Sequence, residues 1–101
     1  MSRRDRIGLL ATTVITEDGI TTVTFHSTPV VTWVRDKDLV ILDTGGWKTV
    51  TTKARMNQAA NEFGLPYHVG QKDGAWFVTV TYADGSMEDL PFPEWKITFE
   101  W

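Results

Sequence analysis

The chain has 101 residues, enough for one domain with a modest core, and 42% of them are hydrophobic, which argues against disorder. With no cysteine, a disulfide framework and thiolate metal sites are excluded. A net charge of −3 argues against a nucleic-acid binder with a wholly basic surface.

The charge is uneven. Arg3, Arg4 and Arg6 outweigh Asp5 at the start, residues 44–61 hold three cations and no acid, and residues 84–101 hold five acids and only Lys96. One basic and one acidic face are therefore expected. No apolar run approaches the length of a membrane span, and the run at residues 7–14 is broken by threonines, so neither a span nor a signal peptide is expected. The expected location is the cytoplasm.

Residues 1–6 read as a basic arm and residues 7–101 as a single domain. Residues 7–15 and 20–26 are rich in Val, Ile and Thr and flank Asp18-Gly19, a hairpin signal. Alternation puts Val23 and Phe25 inward and His26 on the other face. Pro29 cannot donate to a ladder, so it marks an edge, a bulge or a bend. Residues 30–34 then pair with residues 39–43 across Arg35-Asp36-Lys37-Asp38. Gly45-Gly46 turns the chain.

A helix is expected over residues 52–63. Thr51 or Thr52 serves as its N-cap, and Met56, Ala59, Ala60 and Phe63 form its apolar face. Gly64 and Pro66 end it. Residues 67–71 and 75–82 form a hairpin around Asp73-Gly74, with Trp76, Val78, Val80 and Tyr82 inward. Asp84-Gly85 turns into residues 86–90, and Pro91-Phe92-Pro93 forms an extended link. Trp95, Ile97, Phe99 and Trp101 alternate with Lys96, Thr98 and Glu100 in a last amphipathic strand. That strand is expected to complete its own sheet, with a homodimer or partner interface as the alternative. The fold class is therefore α+β: a mostly antiparallel meander of seven or eight strands, with one helix packed on one sheet face.

The stretch Thr44-Gly45-Gly46-Trp47-Lys48-Thr49-Val50-Thr51-Thr52-Lys53-Ala54-Arg55-Met56-Asn57 stands out. Helix starts favour acids, yet this one carries Lys48, Lys53 and Arg55 among four threonines. Backbone N–H groups, hydroxyls and cations together suggest an anion or phosphate site. The competing reading is a solvated helix end whose cations pair with Asp36, Asp38 or Asp43. The Walker A spacing is absent.

With the upstream His26-Ser27-Thr28-Pro29-Val30-Val31, this stretch resembles a widespread set of small bacteriophage and prophage proteins. Their pattern is His-x-Thr-x-Val-Val, a short hairpin, then Thr/Ser-Gly-Gly-Trp-x-Thr-x-Thr-Thr-Lys-x-Arg-Met/Ile-Asn. The resemblance covers about residues 20–80, stops short of the extension from Asp84, and carries no activity residue by residue.

No catalytic constellation is present. His26, His68 and the nearby acids show neither metal-ligand spacing nor a Gly-x-Ser-x-Gly elbow, so no enzyme, metal or cofactor is expected. Trp47 either staples its loop to the helix or serves as an exposed anchor for a base or a partner pocket. The candidate binding residues are Thr44, Gly45, Gly46, Trp47, Lys48, Thr49, Thr51, Thr52, Lys53, Arg55 and His26. Glu88, Asp89 and Glu94 are candidates for an acidic face that imitates nucleic-acid phosphates.

The functional expectation is a non-enzymatic, phage-encoded binding protein that engages a host or phage nucleic-acid-handling complex, as an anti-CRISPR-like inhibitor of host defence would. The alternative is direct binding of nucleic acid or nucleotide phosphate at the basic helix start.

Overall fold

The computed structural model of the chain describes residues 12–101. The basic arm and residues 7–11 of the first expected strand lie outside the described residues. Eight antiparallel strands and one helix follow in the order β1 (Thr12–Glu17), β2 (Ile20–Phe25), β3 (Thr28–Val34), β4 (Leu39–Asp43), α1 (Val50–Phe63), β5 (Tyr67–Lys72), β6 (Ala75–Thr81), β7 (Met87–Pro91) and β8 (Lys96–Glu100). This is an α+β fold.

The strands form two sheets rather than one continuous meander. Five run in the order β1-β2-β3-β4-β8 and three in the order β5-β6-β7. The helix does not close on one sheet alone. It packs against β5 of the smaller sheet and against β3 and β2 of the larger one. β7 ends at Pro91, the Phe92 N–H makes a last bond to the Trp76 carbonyl at 3.1 Å, and after Pro93 the chain returns to pair β8 with β4. Between the two prolines Phe92 turns inward and meets Trp76 edge-on, with ring centroids 5.7 Å apart.

The turns follow their residue chemistry. Asp18-Gly19 and Asp73-Gly74 each carry positive φ at both central positions, the pattern of a type I′ hairpin. Arg35–Lys37 forms a single 3-10 turn closed by Asp38 in the left-handed region. Pro29 sits at a bulge: Val23 faces Val31 while Thr24 faces Pro29, so Val30 is the extra residue. The bulge explains why neighbouring Val30 and Val31 are both buried, where simple alternation would bury one.

β2 ends at Phe25. His26 is therefore a turn residue with φ +59°, not the outward residue of a strand. The helix starts two residues before the expected position. Its N-cap is Thr49, not Thr51 or Thr52, and the Thr49 hydroxyl accepts from Thr52 N–H at 3.1 Å. Gly64 ends it in the left-handed conformation, as expected.

Met56, Ala59 and Ala60 are buried, while Phe63 is half-buried against Trp33. Thr52, one turn before Met56, joins the buried face. Trp76, Val78 and Val80 point inward from β6. Tyr82 lies past the strand end and donates its hydroxyl to Glu88.

Two side-chain contacts tie the helix to β5. Asn57 spans Val69, accepting from its N–H at 2.8 Å and donating to its carbonyl at 2.9 Å. The buried Tyr67 hydroxyl donates to the Met56 carbonyl at 2.7 Å. Burial holds the Tyr67 phenol far above its usual range, so the folded protein keeps the proton that the unfolded chain releases near pH ~10. Stability should be fully present below that value and fall as pH rises above it, by up to about 1.4 kcal/mol per pH unit. Urea unfolding midpoints across this range should show the decline, and Tyr67→Phe should flatten it.

Candidate functional site

The glycine turn is built by its own side chains. Asp43 accepts Gly45 N–H at 2.8 Å, Thr44 Oγ1 accepts Gly46 N–H at 3.1 Å, and Trp47 N–H returns to the Thr44 carbonyl at 2.9 Å. Both glycines have positive φ, at +64° and +89°. Thr44 is buried and bonded to Trp95 as well, donating its N–H and its hydroxyl to the Trp95 carbonyl. The turn is thereby tied to the start of β8.

On its other side, Gly45 lies directly against Thr28. A Cβ at Gly45 would sit 2.6 Å from Thr28 Oγ1 and 2.9 Å from Cγ2. The Gly-Gly-Trp segment and the His-x-Thr-x-Val-Val segment therefore touch, although the thirteen residues 32–44 separate them in sequence.

A cleft of about 530 Å³ opens where they meet. Its lining is Phe25, His26, Ser27, Thr28, Val30, Thr44, Trp47, Thr49, Thr51 and Thr52. Six of the ten carry a hydroxyl, and none is Asp, Glu, Lys or Arg. Thr49, Thr51 and Thr52 belong to the first turn of α1, so the start of the helix borders the cleft.

Trp47 is 69% exposed and does not staple its loop. Val50 and Trp95 are also exposed beside the same turn. His26 packs its ring against Phe25, with centroids 4.4 Å apart. Its positive φ is uncommon for a residue with a Cβ, and such strain concentrates at functional sites.

Of the expected site residues, His26, Thr44, Trp47, Thr49, Thr51 and Thr52 come together in this lining, and Gly45 and Gly46 shape the turn beside it. The cations go elsewhere. Lys48 lies over Trp76 and Phe92 and approaches the Phe92 carbonyl at 3.5 Å. Lys53 lies over Trp76 and donates to Gln71. Arg55 stacks over Phe25 and donates to Thr12 and Gln58. Each cation covers an aromatic ring with its charged end, which accounts for three basic residues at a helix start without an anion. Asp43 serves as a turn acceptor and not as their counter-ion.

The acidic candidates do not form one patch. Glu88 and Asp89 are successive on β7 and so point to opposite faces. Glu88 is opposite Val80 and bonded to Tyr82, while Asp89 accepts from Thr79 at 2.6 Å. Glu94 lies in the loop before β8. Phe25, Ser27, Thr28 and Val30 line the cleft without having been singled out from the sequence. Three of them, Ser27, Thr28 and Val30, lie within the His26–Val31 segment.

No helix among the described residues is long and apolar enough to cross a membrane. No curated protein and no solved structure matches the chain. A family model does match, over residues 2–99. With nearly its whole length matched, the chain belongs to the Kyanoviridae Gp96 protein family, a family of phage proteins.

Proposed function

We propose that this phage protein is a non-enzymatic binding module that holds an uncharged, polar segment of a protein partner in the Trp47 cleft. The observation that carries the reading is the lining itself. Two separate sequence segments converge on a concavity of ligand-binding size, with six hydroxyl side chains, no ionic one and a largely exposed tryptophan. Hydroxyls offer both donors and acceptors to a peptide backbone, and Trp is among the residue types enriched at interface hot spots.

The partner belongs to a nucleic-acid-handling complex of the host or the phage, and the role is inhibition of host defence in the manner of an anti-CRISPR. Small size, net acidity and membership of a phage family support that assignment. Affinity capture from phage-infected host lysate, with the wild type and Trp47→Ala as baits, tests it. Trp47→Ala should leave stability within about 0.5 kcal/mol, because the ring is exposed. It should lower the affinity for the captured partner at least about tenfold. Equal capture by both baits would overturn the reading.

A second reading keeps the same cleft and changes the ligand. Trp47 beside the first turn of α1 suits a base stacked on the indole with its phosphate at the helix N–H groups. Titration with short DNA and RNA at low and physiological salt separates the two. Saturable, salt-sensitive quenching of tryptophan fluorescence favours the nucleic acid.

A further inference from the structure

The edges of the two sheets are not equally protected. The outer edge of β5 is occupied by Asn57, which bonds both backbone groups of Val69. The outer edge of β7 carries Pro91, which has no N–H to offer. β8 ends the five-stranded sheet and contains neither device.

Its ladder with β4 defines what the outer edge, unpaired among the described residues, presents. Thr44 N–H bonds the Trp95 carbonyl at 2.8 Å, and Trp101 N–H bonds the Asp38 carbonyl at 3.2 Å. Antiparallel bonding alternates along a strand, so the odd-numbered residues of β8 bond β4. Lys96, Thr98 and Glu100 aim their N–H and C=O groups outward, and all three are exposed. The odd-numbered side chains share the core-facing side of the strand. Phe99 is buried there, while Trp95 remains 57% exposed and Ile97 and Trp101 are half-buried.

We propose that this edge pairs with the same edge of a second copy of the chain, antiparallel and centred on Thr98, joining two five-stranded sheets into one of ten. The sequence of the edge selects this occupant and this register. A two-fold pair must match outward groups with outward groups. Centring on Thr98 sets Lys96 opposite Glu100 of the second copy, Glu100 opposite its Lys96, and Thr98 opposite its Thr98. On the apolar side it sets Trp95 opposite Trp101 and Ile97 opposite Phe99. Opposite charges, threonine pairs and aromatic pairs are the favourable cross-strand combinations.

The neighbouring registers are worse. Centring on Lys96 opposes two lysines, centring on Glu100 opposes two glutamates, and centring on Ile97 opposes Glu94 with Glu100. Within Lys96–Glu100 only the Thr98-centred register sets Lys96 against Glu100, so the strand is self-complementary in charge there, as a two-fold interface requires. The pairing also gives the exposed Trp95 a covered position. It does not depend on what the Trp47 cleft binds.

Sedimentation equilibrium of the full chain at low salt, from micromolar to millimolar concentration, tests the proposal. The mass should rise from 11.4 kDa toward twice that value. Lys96→Glu sets glutamates opposite Glu100 of the second copy, and Glu100→Lys sets lysines opposite its Lys96. Each should shift the dissociation constant upward by about tenfold or more. Combining the two reversals restores opposite charges and should restore the dimer. Thr98→Pro removes an N–H that β4 does not use, so it should abolish the dimer while thermal melts still show a folded monomer. A wild type that stays monomeric throughout would overturn the proposal. So would single reversals that dimerise like the wild type, or a double reversal that fails to recover.

Discussion

Gly45→Ala should lower the melting temperature by about 10 °C or more in a calorimetric scan. Two costs add at this position. The backbone has φ +64°, where a Cβ costs about 1–2 kcal/mol. The new methyl would also lie 2.6 Å from Thr28 Oγ1, and forced overpacking of this kind costs about 1–3 kcal/mol. A domain of roughly this length loses about 4–8 °C per kcal/mol. The two parts can be separated. Thr28→Ala removes both Oγ1 and Cγ2, so Gly45→Ala in that background should retain only the backbone share of the penalty. An equal penalty in both backgrounds would mean that the turn and β3 are not in contact, and the cleft would lose its floor.

Asn57→Ala should have a comparable effect by a different route. Asn57 acts as a one-residue neighbouring strand for β5, satisfying the N–H and C=O of Val69 on the edge that β6 does not reach. Val69 is 1% exposed, so water cannot readily replace the amide. Two buried backbone groups left unpaired at about 1–3 kcal/mol each give a loss of roughly 2–6 kcal/mol. Hydrogen exchange supplies the local readout. The Val69 amide should be well protected in the wild type and exchange markedly faster in the variant. Fast exchange in both would contradict the assigned contact.

The elements were largely legible because their signals are local. Asp-Gly pairs at 18–19 and 73–74 specify tight hairpins, Gly64 and Pro66 stop the helix, and Met56, Ala59 and Ala60 mark its buried face. The helix start was misplaced because Thr49, Thr51 and Thr52 are chemically equivalent as caps, and only the geometry selects Thr49. The split into two sheets was not legible. It depends on Phe92 packing on Trp76 and on β8 returning to β4 across the whole chain.

The site was half legible. The hydroxyls and Trp47 could be picked out as unusual near a glycine turn, but their meeting with Phe25, Ser27, Thr28 and Val30 is a tertiary fact. The cations make tertiary contacts that the helix alone does not announce. Lysine and arginine at a helix start suggest an anion when only the helix is considered. They are equally served by a neighbouring tryptophan or phenylalanine face, and β6 and β2 supply those faces here.

That distinction also sets the most direct measurement, the affinity of the captured partner for Trp47→Ala beside Lys53→Ala, each with its melting temperature. A partner held in the cleft should bind Trp47→Ala at least about tenfold more weakly and Lys53→Ala as well as the wild type, with both variants stably folded. Loss of binding with Lys53→Ala while Trp47→Ala binds normally would place the contact on the basic helix face and contradict the cleft as the site.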